Sequence, residues 1–427
     1  MANYHLSDKS IGTLLGMAVG NALGAPAGGL SKEELKERFG TLQAYEDTFD
    51  LEEFAETASD MDERDKTYKV SRWLPKGVYT DDTQQALILC ESLIMERGYN
   101  SETFAELLCK FSHPRGRNFR FGIYRGAGRS FRDSIRSLED GVDTRKAGQP
   151  SSSNGAAMRV APLGLFYGDD LDALKKHVIE QSVLTHRDVM AVAAAQAIAH
   201  LVALVLPMRR PPCPSELLAH LLEHVRQAEE LAAETGADFI TNLDSAKNGF
   251  STALAKVSDY LDLDLEEGIS KIGEYAESTS DRPGIGGTGG YVLSSVITSI
   301  YVFLENVGTF ERAVIAAINQ GGATDTIGAI VGAVSGALHG TNSIPARLVR
   351  GVSNAKHIEL KAKMLMDETV DVRNARTLSE FENQLTERIL ALRKPHLPEP
   401  QESERRPARD GRRRDDRREG GRSRDRR

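Results

Sequence analysis

The sequence predicts an all-α fold on three grounds. Apolar residues recur at helical spacing over 82–97, 102–111, 188–205, 215–232 and 291–304, while alternating strand-like runs are few and short. Aromatic residues are only 6% of the 427, and 38 glycines accompany many small apolar side chains, a composition suited to closely packed helices. Two stretches carry glycine at every fourth position: Gly12, Gly16, Gly20 and Gly24 near the start, and Gly328, Gly332, Gly336 and Gly340 near the end. Each helical glycine costs about 1 kcal/mol relative to alanine, so such ladders need close backbone approach as compensation. They predict two helices packed tightly against neighbours in the domain centre, fixing the loops that precede them.

At 40% hydrophobic residues the chain is long enough for one large domain or two modest ones. Cys90, Cys109 and Cys213 form neither a disulfide framework nor a metal-ligand spacing, which points to a reducing, cytoplasmic setting. The start, MANYHLSDKS, lacks the basic and apolar regions of a signal peptide. The longest small-apolar stretch, 328–340, falls short of the roughly 18 residues that span a bilayer, so no membrane partner is expected.

The formal net charge of −8 is unevenly placed. Residues 401–427 hold twelve arginines against seven acidic residues, a net +5, which leaves −13 on the first 400. An acidic body argues against a nucleic-acid-binding core and leaves the tail as the only candidate for such contacts. That tail has almost no apolar residue to offset ordering entropy and reads as disordered. The proline-rich PHLPEP at 395–400 blocks helix continuation. The boundaries are therefore a domain over 1–398 and a basic tail over 399–427. Within the body, the acidic stretch 45–66 and the polar helical stretch 233–280 read as solvated insertions.

Five further segments carry candidate chemistry. Residues 77–89, GVYTDDTQQALIL, place Thr80, Asp81 and Asp82 just before an apolar-periodic helix. Hydroxyl and carboxylate oxygens suit a hard cation such as Mg²⁺, but Thr and Asp are equally the preferred helix N-caps. Residues 321–331, GGATDTIGAIV, repeat the arrangement with Thr324, Asp325 and Thr326. Two such helix starts can present oxygens to each other across a shared cavity. A helix N-terminus repels cations, so a metal there must be held by several carboxylates. In the Ser-rich turn SSSNG, Asn154 and Gly155 suit a tight turn with amides facing an anion, while the following Arg159 reads equally as a structural ion-pair partner. His186, ahead of an Ala-rich helix, reads more readily as a cap or packed residue than as a catalyst. The glycine-rich 283–291, PGIGGTGGY, is either a phosphate cradle or a flexible helix entry.

Taken in order, IGTLLGMAVGNALGAP, YTDDTQQAL, SNGAAMRVAPLGL, LTH, GGTGGYVLSSVITSIYVFLE and GGATDTIGAIVGAVSGA resemble the ADP-ribosylglycohydrolase family, which includes the dinitrogenase-reductase-activating glycohydrolases. The resemblance covers most of residues 9–345, and six ordered motifs are far more specific than any one. It implies a single compact orthogonal all-α domain, a two-magnesium centre and hydrolysis of the bond between ADP-ribose and an acceptor such as a protein side chain. By position, Thr80, Asp81 and Asp82 would bind metal on one side and Asp325 and Thr326 on the other, with Asp81, Asp82 and Asp325 catalytic. Ser153, Asn154, Gly155 and His186 would lie near the ribose and phosphates. The loop carrying Gly287, Thr288 and Gly289 would lie near the diphosphate or adenosine. The implied partner is an ADP-ribosylated protein or related conjugate.

Four positions depart from the family pattern. The last motif usually reads GGDTDT, so Ala323 removes one expected metal ligand. Asn21 replaces an aspartate, Gly28 replaces a glutamate thought in some members to gate the metal site, and Ser153 stands where glycine is usual. Losing one carboxylate from a paired site weakens the second ion. The resulting expectation is a magnesium-dependent hydrolase impaired at Ala323. Its rival is a catalytically degenerate module that binds ADP-ribose or blocks a partner.

Overall fold

The computed structural model describes residues 2–397, apart from 59, 114–120, 247–248, 281–282, 368 and 371–375. The tail expected at 399–427 lies outside the described residues. Among those described, secondary structure is helical, with only isolated bridges between extended residues and no named strand.

The two glycine ladders pack against each other. The helices Ala2–Gly24 and Thr324–His339 run antiparallel through the centre, and a Cβ built on Gly12 would lie 2.6 Å from the Gly336 carbonyl oxygen. Gly16 meets Gly332, Gly20 meets Gly328, and Gly24 meets Thr324, each with no room for a side chain against the partner's carbonyl. Backbone-to-backbone contact is the compensation that the glycines require. At the end of this zipper the Thr324 hydroxyl donates to the Gly24 carbonyl at 2.7 Å, which sets the head of the later helix against the end of the first.

The helix Val189–Val205 is apolar apart from Gln196 and His200 and accordingly almost wholly buried. It packs against Leu171–Val183, Pro214–Thr235 and the short helix Ala161–Phe166. The helix Asp81–Glu96 packs on Ser101–Ser112 and on Ala355–Met366. Several helices begin on an ordinary side-chain cap: Ser31, Asn100, Asp170, Asp188 and Thr377 each accept a hydrogen bond from a first-turn N–H. His186 is thus not the cap of its helix, because Asp188 performs that role.

The two expected insertions differ. Residues 45–66 carry the short helix Leu51–Thr57, and Leu51 joins Val70 and Trp73 in a small satellite core. The stretch 233–280 is not simply solvated: Phe250, Leu254, Val257, Ile272 and Ala276 are buried in the main core. Its helix Leu265–Ser278 backs the glycine loop, and a Cβ on Gly273 would lie 2.7 Å from the Gly287 nitrogen. Few apolar residues on a helix of marked amphipathicity suffice to bury one face. No described helix is long and apolar enough to cross a membrane.

Candidate functional site: an acidic cluster at two helix starts

Thr80 occupies the N-cap position of the helix Asp81–Glu96, but its hydroxyl caps nothing. It lies 2.8 Å from Asp82 Oδ2 and 3.2 Å from Asp325 Oδ2, donating toward both. The Thr326 hydroxyl donates to Asp82 Oδ1 at 2.7 Å, across 244 residues of sequence. Asp81 Oδ2 accepts from Gln85 Nε2 at 2.7 Å, one helical turn on. The capping alternative left open for the TDD segment therefore fails at Thr80: both threonine hydroxyls serve carboxylates.

Asn21, from the first helix, locks the arrangement. Its Nδ2 donates to Thr80 Oγ1 at 2.7 Å and lies 3.3 Å from both Asp82 Oδ2 and the Asp325 carbonyl, while its Oδ1 accepts from Thr80 N at 2.7 Å and from Thr83 Oγ1 at 3.0 Å. An aspartate here would replace the donor beside Asp82 with another acceptor. Asparagine satisfies that edge without adding charge.

The electrostatics are those of an under-neutralised acidic site. Burial first, then Asp82 and Asp325, holds the Asp81 carboxyl well above the usual carboxylate range. Burial and Asp325 raise Asp82, and burial raises Asp325. Asp325 retains some solvent access, so its desolvation is less complete than that of Asp81 and Asp82. Among the described residues no three carboxylate, imidazole or thiol groups already surround a common metal position. Asp82 and Asp325 instead approach each other through the Thr80 hydroxyl, and Thr326 adds a second hydroxyl to Asp82.

A second group converges beside the first. Ser153 pairs in an isolated antiparallel bridge with Tyr291, and Asn154 N donates to the Gly290 carbonyl at 3.1 Å. The Asn154 side chain donates to Ser295 Oγ at 3.0 Å. Thr288 O in turn accepts from Ala323 N at 2.8 Å, so the glycine loop ties the Ser-rich turn to the head of the Thr324–His339 helix. Gly155 has no room for a side chain, since a Cβ would lie 2.5 Å from His186 Cε1.

His186 is buried, with Nε2 2.9 Å from Ser153 Oγ and Nδ1 2.8 Å from Thr185 Oγ1. Thr185 Oγ1 accepts from Arg159 Nη2 at 2.7 Å, leaving its own proton to donate to Nδ1. This assignment puts the imidazole proton on Nε2, which donates to Ser153. Burial first, and Arg159 second, push the His186 pKa down to about 3. The imidazole is a neutral hydrogen-bond donor, held in one tautomer.

Arg159 is a fully buried hub. It donates to Gln85 Oε1 at 2.8 Å, to Gln181 Oε1 at 2.9 Å, and to Thr185, thereby linking the Asp81 carboxylate to the His186 ring. Its direct partners are amides and a hydroxyl, so the ion-pair alternative does not describe its contacts.

Besides Asn21, two further departures from the family pattern adjoin the cluster. A Cβ on Gly28 would lie 3.7 Å from Asp325 Oδ1, and Ala323 immediately precedes Thr324 at the helix head. Gln85, Arg125 and Gly126 escaped the sequence reading. Gln85 was findable from its i,i+4 spacing to Asp81. Arg125 O accepts from Asp81 N at 2.8 Å, and Gly126, at φ +95°, would place a Cβ 3.1 Å from Asp81 Oδ1; no local signal marks either.

The outer face of the glycine loop lines an open groove of about 650 Å³ whose walls carry Lys32, Glu34, Glu266, Glu274 and Glu277. Asp81, Asp82, Asp325 and His186 do not line it. Lys32 is already paired to Glu266 at 2.9 Å, so the groove is acidic and ill-suited to a diphosphate.

The described scaffold is all-helical and gathers hydroxyl and carboxylate side chains from two helix starts into one acidic centre. The chain belongs to the ADP-ribosylglycohydrolase family, whose pattern it matches over residues 2–376, and is an enzyme of that type. It is 26% identical over 306 residues to the mouse ADP-ribosylhydrolase ARH3, covering 67% of this chain and 76% of that one. It is 25% identical over 301 residues to the ADP-ribosylarginine hydrolase Tri1 of Pseudomonas putida, covering 70% and 69% respectively. A solved structure described as an ADP-ribosylglycohydrolase-related protein complex superimposes with a TM-score of 0.56 at 26% identity, covering 85% of this chain and 98% of that one.

Proposed function

We propose that this chain releases ADP-ribose from a modified protein side chain, with arginine as the acceptor, and that two magnesium ions assist it. The observation that carries the reading is the convergence of the hydroxyls and carboxylates of Thr80, Asp81 and Asp82 with those of Asp325 and Thr326 in one largely buried cluster. The likeness to an ADP-ribosylarginine hydrolase supports arginine as the acceptor.

The donor chemistry fits magnesium. Three carboxylates whose ionisation is opposed by burial and by one another gain most from a hard divalent cation, and hydroxyl oxygens complete such a set. Thr80, Asp81 and Asp82 would hold the ions from one helix start, and Asp325 and Thr326 from the other. Bound magnesium supplies Lewis-acid polarisation of ribose hydroxyls and of the attacking water.

The chain's own residues do the remaining work. The carboxylates of Asp81, Asp82 and Asp325 face the positive charge that develops on the ribose as the acceptor leaves, and their fixed positions avoid reorganisation during the step. Asn21 holds Thr80 and Asp82 in register. Ser153, Asn154 and Gly155 contact the ribose and phosphates, with neutral His186 orienting the Ser153 hydroxyl through Nε2. Gly287, Thr288 and Gly289, whose groove is acidic, would bound the adenosine side rather than the diphosphate. With Ala323 where the family usually has an aspartate, the residues present would offer one ion fewer ligands, and slow turnover is the expected consequence.

The test is calorimetric titration of ADP-ribose into the chain with Mg²⁺ and with chelator, followed by release from an ADP-ribosylated arginine peptide. Metal-dependent binding with slow release is expected. Absence of binding in both conditions overturns the assignment of this cluster.

A further inference from the structure

The helix Leu378–Arg393 lies beyond residues 2–376, where the family pattern ends, yet it reaches the back of the acidic cluster. Its Glu382 is fully buried. Glu382 Oε2 accepts from Arg125 Nη2 at 3.0 Å and from Gln84 Nε2 at 2.7 Å, and Oε1 accepts from the Tyr79 hydroxyl. Asn354 Nδ2 donates to that same hydroxyl at 2.9 Å.

Each of these partners is attached to the Thr80–Asp82 turn. Tyr79 precedes it, and the Tyr79 carbonyl accepts from Arg125 Nε at 2.9 Å. Arg125 O receives the Asp81 N–H, and Arg125 N donates to Gln84 Oε1 at 2.9 Å. The Arg125 guanidinium also lies over the Tyr79 ring, 5.0 Å from its centroid. One carboxylate therefore fixes the residues before, opposite and after the turn. A buried pair of this kind, 1% exposed on each side, contributes little net stability, but loss of either partner leaves an uncompensated charge.

We infer that Glu382 is a positioning residue for the reaction: acting through Arg125, Gln84 and Tyr79, it holds the backbone that aims Asp81 and Asp82. The inference rests on the proposed role of those aspartates. Groups that orient the ligands of a centre commonly change activity 10- to 100-fold when removed.

The experiment compares the full chain, Glu382→Gln and Tyr79→Phe in single-turnover release from an ADP-ribosylated arginine peptide, with folding followed by circular dichroism. Glu382→Gln is expected to stay folded, bind ADP-ribose within about twofold of the parent and release it about 10- to 100-fold more slowly. Tyr79→Phe, which removes the hydroxyl's bonds to Glu382 and Asn354 but leaves the Arg125–Glu382 pair intact, is expected to show a smaller loss of the same kind. A folded Glu382→Gln with the parent's rate overturns the inference, as does a parental rate in Tyr79→Phe if Glu382→Gln does not fold. Parent chain that neither binds nor releases ADP-ribose overturns the proposed function and this inference together, whereas an active parent with an equally active Glu382→Gln overturns this inference alone.

Discussion

Gly20 and Gly328 face each other so closely that a methyl group on either would fall on the other's carbonyl oxygen. The contact is one rung of a zipper that runs from Gly12 and Gly336 to Gly24 and Thr324. Its consequence is functional, because the same two helices carry Asn21 and Asp325, and Asn21 Nδ2 lies 3.3 Å from the Asp325 carbonyl. A side chain at a rung must push the helices apart or slide them along each other.

Gly328→Ala is therefore expected to cost about 2–4 kcal/mol, even though alanine is the better helix former by about 1 kcal/mol. Chemical denaturation measures it. Gly308→Ala, where a Cβ meets nothing within 4 Å, should change stability by less than about 0.5 kcal/mol. Equal effects at both positions would show that the rungs are not close-packed.

Asp82→Asn should separate stability from activity. The Asp82 carboxyl keeps its hydrogen bonds from Thr80 and Thr326 only by remaining buried near Asp325. Removing its charge is expected to raise the melting temperature in chelator, remove most of the rise given by Mg²⁺, and lower release by about 100-fold or more. A variant less stable than the parent in chelator would contradict mutual repulsion among these aspartates.

Ala323→Asp tests the departure at the head of the Thr324–His339 helix. An acidic residue there lies in the favourable position relative to the helix dipole and restores the family's usual ligand. Tighter Mg²⁺ binding and faster release are expected, read by calorimetry and single-turnover assay. Unchanged values for both would mean that position 323 does not limit the site.

The pH dependence follows from His186. Its native pKa is pushed down to about 3 against 6.5 for the free group, so the unfolded chain takes up a proton between these values and the native chain does not. This histidine's contribution to stability is complete above pH 6.5 and is lost as pH falls toward 3. His186→Gln is expected to flatten the stability profile in that window. The release profile should show no ionisation of this imidazole between pH 5 and 8, and a nuclear magnetic resonance titration of the His186 ring within that range would refute its neutral role.

Much of this was legible in the sequence, and the reason is local. Helical periodicity, glycine every fourth residue and the two TD-containing helix starts depend on neighbours within four positions, and those are written along the chain. Their family resemblance identified the enzyme type. What only the tertiary structure decided was pairing between distant segments: which helix each ladder meets, whether Thr80 serves a helix end or a carboxylate, and that Arg159 joins Gln85 to Thr185. It also decided that 233–280 contributes Phe250 and Ile272 to the core, and that Glu382 stands behind the Asp81 turn. Those relationships join residues separated by tens to hundreds of positions, and they exist only once close packing has chosen a single neighbour for each polar group.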